Sequence, residues 1–350
     1  RRRFLDEARR KRIRASHTPE LLNRLASSCS LEAPSTPDRR LGLFFVCAHP
    51  AIDSAARAPL ILQTVLGLQA SRIAEAFLVS QTAMAQRLVR AKRKIKDAGI
   101  PFQIPTSTEL TERLQAVLEA IYACYAAGWS TPLGADDESR GLAEEAIWLA
   151  RILTDLCPDE PEAIGLLALI LHVEARSAAR YTSEGDYIPL REQDPACWNI
   201  RQMKEAESLL RKAASFGKFG RFQLEAAIQS AYAARLDAGE IDWPSILLLY
   251  DGLQTVAESP VVRINRAVVV SEVHGAQAGL RELNQLINQE QVLNYQPYWA
   301  ARAHLLGRIG AMNEAQGAYE RAIELSRDNA VRRFLRKQLQ EIVSRASQTH

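Results

Sequence analysis

Few side chains in this sequence have the type and spacing that catalysis requires. His172 and Glu174 lie two positions apart in an apolar stretch, where such a pair could act as a general base and its orienting carboxylate. A buried histidine that interacts with a neighbouring helix explains the same pattern without catalysis. The sequence contains no phosphate-binding glycine loop, serine elbow or His-Glu-x-x-His motif. We therefore predict that the protein is not an enzyme and uses no cofactor.

The cysteines provide a second test for chemistry. Cys47 and His49 are the one closely spaced thiol and imidazole, and two ligands fall short of the four in a structural zinc site. The 5 cysteines are odd in number, widely spaced and without a Cys-x-x-Cys pair. This pattern argues against a disulfide framework and against a metal site.

The strongest chemical signal is a polar and cationic helix predicted over residues 81–97. Apolar residues recur along it at amphipathic spacing, and Ser80 is placed to cap its first turn. Its buried face is predicted to hold Met84, Leu88, Ala91 and Ile95. Its exposed face is polar near the N-terminus and cationic beyond it, and holds Gln81, Thr82, Ala85, Gln86, Arg87, Arg90, Lys92 and Arg93.

Such a face suits the groove of a DNA duplex. Short polar side chains at a helix N-terminus can read base edges, while cationic side chains hold phosphates and release counterions. A surface helix with a solvated basic face is the alternative. Just before it, Ser71 can cap a short helix over 72–77, and residues 78–80 form a turn, which completes a helix-turn-helix. We expect Gln81, Thr82 and Gln86 to read bases, and Arg87, Arg90, Lys92 and Arg93 to hold phosphates.

The residues from Leu66 to Ile95 resemble region 4 of an extracytoplasmic-function sigma factor. The matching positions are Gly67, Ile73-Ala74-Glu75, Arg87-Leu88, Arg90-Ala91 and Arg93. The flanks, Leu43–Ile52 and Met84–Phe102, are similar to the subgroup that carries a tetratricopeptide-like extension behind region 4. The resemblance implies a transcription initiation factor that binds the −35 element of promoter DNA and the β-subunit flap of the RNA polymerase core.

The resemblance also implies a domain order. Residues 1–14 resemble the end of sigma region 2, so that most of region 2 would be absent. A solvated basic helix or a frayed terminus is the alternative for this segment. The serine- and proline-containing stretch 15–38 is predicted to be a linker with one short helix near residues 20–27. Residues 39–105 would form region 4, and residues 106–350 the regulatory or interaction domain.

Charge is divided between the two parts of the chain. Residues 1–105 hold 19 Lys and Arg against 8 Asp and Glu, a balance of +11. The remainder holds 25 against 33, a balance of −8, so one part suits a polyanion and the other does not. Apolar residues make up 47% of the chain, and no apolar stretch is long enough to span a bilayer. We predict a soluble, cytoplasmic protein with a packed core and no membrane contact.

The second part predicts an all-α fold in which helices follow one another to the C-terminus. Small residues recur there at a spacing similar to that of tetratricopeptide units of about 34 residues. The clearest set is Trp299, Ala303, Leu306, Ala315, Tyr319 and Ala322. Looser sets are Ala146, Ala150, Leu153, Ala168 and Leu171; Ala206, Leu210 and Ala213; and Ala267, Gly279 and Leu283. A generic helical bundle is the alternative to a repeat array.

A helical array is expected to bind protein on its inner face. The candidate residues are Arg176, Arg180, Arg263, Asn265 and Arg266. The resemblance has one departure, because Ala126-Ala127 stand where the subgroup would carry an asparagine-glutamate pair. A stand-alone helix-turn-helix regulator, or a protein-interaction scaffold with a repeat domain, is the alternative function.

The short connection over 99–108 suggests that the array folds back onto the basic part. Ile100, Phe102 and Ile104 would supply apolar contacts there. The array would then either mask the DNA-binding face or brace it. We favour bracing, because apolar side chains in a connection are better explained by permanent packing.

Overall fold

A computed structural model describes residues 39–100, 107–129 and 137–348. The sequence-based predictions for residues 1–14 and 15–38, and for Phe102 and Ile104, lie outside these ranges. The described chain is helical, apart from turns and one isolated antiparallel bridge between Tyr181 and Tyr187, and is therefore all-α.

In the part of the chain that the structure describes, four helices come first and thirteen follow after residue 106. The first four are α1 Arg39–Cys47, α2 Ser54–Thr64, α3 Ala70–Ala76 and α4 Gln81–Ala98. The next six are α5 Ser107–Trp129, α6 Asp137–Leu156, α7 Pro161–Glu174, α8 Ile200–Ala214, α9 Arg221–Ala233 and α10 Arg235–Ala238. The last seven are α11 Trp243–Val256, α12 Pro260–His274, α13 Ala276–Asn284, α14 Glu290–Leu293, α15 Gln296–Arg308, α16 Met312–Leu325 and α17 Asn329–Gln348.

The first bundle does not end at α4. Helix α5 packs against α1, α2 and α3, and one apolar core joins residues such as Phe44 and Ile61 to Val117 and Ile121 of α5. Arg113, which is buried in α5, donates from Nη1 to the carbonyl of Phe45 at 3.3 Å. The core is therefore continuous across the boundary predicted at residue 105.

Beyond α5, most helices pack on the next and several on the one after it. Strong pairs are α5 with α6, α7 with α8, α12 with α13, and α15 with α16. Helix α7 also packs on α9, α9 on α11, and α13 on α15. The small residues that the repeat pattern singled out are buried between these helices: Ala146, Ala150, Ala168, Ala206, Ala213, Ala267, Gly279, Ala303, Ala315 and Ala322.

The crossing of α7 and α9 is close because Gly165 has no side chain. A Cβ atom at Gly165 would lie 2.8 Å from the backbone nitrogen of Gln223 and 3.0 Å from its Cα. Glu162 of α7 also accepts hydrogen bonds from the backbone N–H groups of Phe222 at 3.0 Å and Gln223 at 3.1 Å, at the start of α9. A side chain at 165 would separate the two helices.

This close contact gives the first prediction. Gly165→Ala should lower the free energy of unfolding by about 1–3 kcal/mol, because the added methyl group meets backbone that cannot rotate away. Gly317→Ala, inside α16, should raise it by about 0.5–1 kcal/mol, because nothing lies within 4 Å of the new Cβ. Denaturant midpoints of the two variants should move in opposite directions. A common direction would contradict the packing described for α7 and α9.

The helical succession is interrupted between α7 and α8, contrary to the prediction of unbroken helices. Residues 177–199, which we call the strap, contain three short 3-10 turns at Ser177–Ala179, Leu190–Glu192 and Pro195–Cys197. The strap begins with a tight hairpin, in which the N–H of Thr182 donates to the carbonyl of Asp186 at 2.9 Å. Apolar residues do not recur at helical spacing over residues 177–199.

Candidate nucleic-acid interface

Helix α4 is built as the amphipathic pattern predicted. Ser80 is its N-cap, and the Ser80 hydroxyl accepts from the N–H of Ala83 at 3.2 Å. Gly99 ends the helix with φ 57°, in the left-handed region that glycine adopts without strain. Met84, Leu88 and Ala91 are buried, so this face turns inward. Helices α2 and α3 pack against α4.

The short helix before α4 starts two residues earlier than predicted. Helix α3 begins at Ala70 with Gln69 as its N-cap, and Ser71 lies inside the first turn. The prediction that Ser71 caps this helix is therefore wrong, because the extended residue that precedes the helix is Gln69. Ile73 and Ala74 are buried, and the N–H of Val79 returns to the carbonyl of Ala74 at 3.0 Å.

The turn between α3 and α4 contains a strained residue. Leu78 has φ 52°, the one positive φ at a non-glycine residue in the described chain. For a bulky side chain this conformation is an outlier that costs roughly 1–2 kcal/mol. The N–H of Leu78 donates to the carbonyl of Glu75 at 3.2 Å and the N–H of Val79 to that of Ala74 at 3.0 Å, so bonds back to the end of α3 hold the turn.

The polar N-terminal turns of α4 face solvent, as does most of its cationic part. The exposed residues are Gln81, Thr82, Ala85, Gln86, Arg90, Lys92 and Arg93. Arg87 differs from them, because it is half-buried and its Nη1 donates to the carbonyl of Ala55 at 3.2 Å. Arg87 therefore ties α4 to the start of α2.

One exposed residue of α4 was missed by the sequence analysis. Val89 is 61% exposed, between Arg87 and Arg90. Its position off the apolar stripe of Met84, Leu88 and Ala91 was the available signal. An exposed methyl-bearing side chain on such a face can contact a thymine methyl group.

Two of the predicted binding residues of the array hold the fold together. Arg176 is only 7% exposed, and its Nε donates to the carbonyl of His172 at 3.3 Å. Arg180 donates from Nη1 to the carbonyl of Trp129 at 2.6 Å, with its guanidinium 4.1 Å from the centre of the Trp129 ring. The expectation that Arg176 lines an open face is therefore corrected, because its side chain lies inside the molecule.

The other three candidates lie on α12, beside a small polar pocket of about 110 Å³. Arg266 pairs with Asp251 at 2.8 Å and with Glu282, while Arg263 donates to Gln285 at 3.2 Å. Asn265 is exposed. The pocket is lined by Gln254, Arg263, Arg266, Glu282 and Gln285. The ion pairs of Arg266 reduce the positive charge that this pocket can offer.

A known protein aligns with most of the chain. An uncharacterized protein of Rhizobium meliloti (strain 1021) is 38% identical over 307 residues, which are 88% of this chain and 72% of that protein. The chain belongs to the same family as this protein. Residues 113–214 also match the model of a family of unknown function, DUF6596. No solved structure matched the chain.

The DUF6596 region runs from Arg113 in α5 to the end of α8, and it contains the strap and the one deeply buried histidine of the described chain. His172 lies with Nε2 3.4 Å from a carboxylate oxygen of Glu207 on α8. Burial lowers the pKa of His172 to about 4, and the opposing attraction of Glu207 is weaker. Glu174 instead accepts a hydrogen bond from Tyr125 at 3.0 Å, so His172 and Glu174 face different partners.

The thiols of the described residues form no disulfide and belong to no metal-binding group. Burial raises the pKa of Cys47 to about 12, and the neighbouring His49 ring accepts from the N–H of Ala51 at 3.1 Å. Cys47, Cys124, Cys157 and Cys197 are free. No group of three or more His, Cys, Asp or Glu residues in the described ranges is arranged to hold a metal ion. Nor does any helix of residues 39–100, 107–129 and 137–348 have the length and apolarity to cross a membrane.

Proposed function

We propose that α3, its turn and α4 form a DNA-binding helix-turn-helix that recognises the −35 element of a promoter. The observation that carries the proposal is the division of α4, whose apolar residues are buried while its polar and cationic residues are exposed. A helix held in this way can place its first turns in the major groove. Its cationic residues then lie along the phosphate backbone.

The turn supports the same proposal. In the sigma region 4 pattern that the sequence resembles, the position of Leu78 is occupied by glycine. Glycine is the residue that adopts a left-handed conformation without strain, and Leu78 adopts φ 52° at this position despite its side chain. This left-handed turn supports the match to that pattern although the residue type differs.

We assign base reading to Gln81, Thr82 and Gln86, whose side chains carry both donors and acceptors. Arg90, Lys92 and Arg93 hold phosphates. Ala85 and Val89 can meet base methyl groups, and Arg87 orients α4 from the side of α2.

We further propose that the protein is the promoter-binding part of a transcription initiation factor of the extracytoplasmic-function type. In this role the first bundle also binds the β-subunit flap of RNA polymerase core in the cytoplasm. The helices from α5 onward form a tetratricopeptide-like array that braces the bundle and performs no catalysis. The shared core of α1, α2 and α5 supports bracing.

The assignment of α4 is tested by two variants. Gln86→Ala should lower the preference for the best −35 sequence over single-base variants by about tenfold, because one base contact contributes about 1–3 kcal/mol of discrimination. Arg93→Ala should weaken all duplexes alike and reduce the slope of log K against log salt by about 0.9. Binding to a duplex library at several salt concentrations measures both effects.

Arg211→Ala, which removes an exposed charge from α8, is the matched control and should change neither quantity. Unchanged relative affinities in Gln86→Ala would remove the base-reading assignment. A pull-down with RNA polymerase core separates an initiation factor from a stand-alone regulator, because the regulator has no need for the β flap.

A further inference from the structure

The first half of the strap is anchored on the last helix of the chain. The ring of Tyr187 meets that of Phe334 edge-on, with centroids 5.7 Å apart. Arg333 of α17 donates to the carboxylate of Asp186 at 2.7 Å and to the carbonyl of Gly185 at 2.8 Å. These contacts join positions that are about 147 residues apart in sequence.

In the second half of the strap, one guanidinium bonds three backbone carbonyls. Arg235 of α10 donates to the strap carbonyls of Leu190 at 2.8 Å, Arg191 at 3.1 Å and Gln193 at 3.0 Å. Trp198, also in the strap, is buried and lies 4.9 Å from the Arg235 guanidinium. Backbone carbonyls that a helix or sheet would otherwise satisfy are thus bonded by one side chain.

The middle of the strap reaches further helices through Arg191. The Arg191 guanidinium lies 4.6 Å from the centre of the Trp243 ring of α11 and pairs with Glu272 of α12 at 2.6 Å. Glu272 is shared with Arg308 of α15 at 2.7 Å. One short segment therefore links α10, α11, α12, α15 and α17.

The hairpin also fixes the turn between α16 and α17. Tyr181 donates from its hydroxyl to Asp328 at 3.2 Å, and Asp328 accepts from the N–H of Ala330 at 2.7 Å, at the start of α17. The preceding residue, Arg327, forms an ion pair with Glu75 of α3. The strap and the proposed DNA-binding unit thus contact the same turn from two sides.

We propose that the face of the array formed by α10, α11, α12 and α17 is a peptide-binding surface, and that its occupant is the chain's own strap. Aromatic contacts, arginine–carboxylate pairs and bonds to backbone carbonyls are the means by which proteins recognise extended peptides. All three kinds of contact join the strap to the helices of the array. Bound there, the strap holds the α16–α17 turn, whose Arg327 pairs with Glu75 of α3. This inference does not depend on DNA binding.

Hydrogen exchange of the full chain tests the proposal. In the double variant Tyr187→Ala/Arg191→Ala, amide exchange should become at least about tenfold faster in residues 326–334 and in α3, because local opening exposes them. Residues 114–125 of α5 should be unaffected. Arg321→Ala, which breaks an exposed pair within α16 without touching the strap, is the control. Faster exchange confined to residues 177–199 would overturn the coupling to α3.

A second experiment uses a labelled peptide with the sequence of residues 177–199. It should bind the double variant at least about tenfold more tightly than the unaltered chain, where the attached strap competes at high effective concentration. A peptide in which Tyr181 and Tyr187 are alanine should bind neither. Absence of binding to the double variant, or equal binding to both proteins, would overturn the assignment of a peptide-binding surface.

If the variant fails to fold, the single changes Asp186→Ala and Arg333→Ala give the same test. Each should accelerate exchange in residues 326–334, and adding Asp186→Ala to Arg333→Ala should add nothing, because Arg333→Ala already removes the Asp186 pair together with the bond to the Gly185 carbonyl. Additive effects, or none, would contradict the pairing of hairpin and α17.

Discussion

A fragment that ends at residue 105 is expected to lose cooperative unfolding. It keeps α1 to α4 but lacks α5, whose Val117, Leu118 and Ile121 are buried in the same core as the bundle. Each fully buried side chain of this size contributes roughly 1.5–3 kcal/mol, and the total stability of a domain is only about 5–15 kcal/mol. So small a fragment cannot replace that loss.

The measurement is a thermal melt followed by circular dichroism. A fragment of residues 1–238, which keeps α5 to α10 and with them Phe222 and Ala226 of the same core, is the control and should retain a cooperative transition. The shorter fragment should also bind promoter DNA more weakly than the full chain. Tighter binding would instead support masking of α4 by the array. Equal DNA affinity and equal stability of the bundle in the shorter fragment and in the full chain would exclude both bracing and masking.

Stability is expected to fall as the pH falls from about 6.5 to about 4, because His172 is buried without its proton. Burial holds its pKa near 4 in the folded chain, against an ordinary value of 6.5. Between these values the unfolded chain binds more protons than the folded one, so acid favours unfolding. At about 1.4 kcal/mol per pH unit, the loss below pH 4 is on the order of 3 kcal/mol.

His172→Gln should abolish this component, and its unfolding free energy should depend less on pH in that window. Denaturant unfolding at intervals of pH measures the difference between the two proteins. His274→Gln replaces an exposed histidine and should keep the full dependence. His49 and His304, whose pKa values burial also lowers, contribute equally to both proteins and cancel in the comparison. An unchanged slope in His172→Gln would contradict the buried neutral state.

What the sequence by itself determined about this protein is local. Ser80 set the start of α4, and the spacing of Met84, Leu88 and Ala91 set its buried face, because caps and helical periodicity act within a few residues. The small residues predicted to lie between paired helices are buried, because their helical spacing places them on one face of each helix. The assignment of His172 as a core histidine was also accessible, since its neighbours along the helix are apolar.

What only the tertiary structure decided depends on contacts between distant residues. The sequence pattern did not indicate that α5 belongs to the first core or that Arg176 is buried. Nor did it indicate the ion pair between Glu75 and Arg327. The strap is the clearest case, because its partners lie as far away as Arg333 and its own regular elements are three short 3-10 turns. An irregular segment obtains its conformation from the side chains that satisfy its backbone, and their positions exist only once the helices have packed.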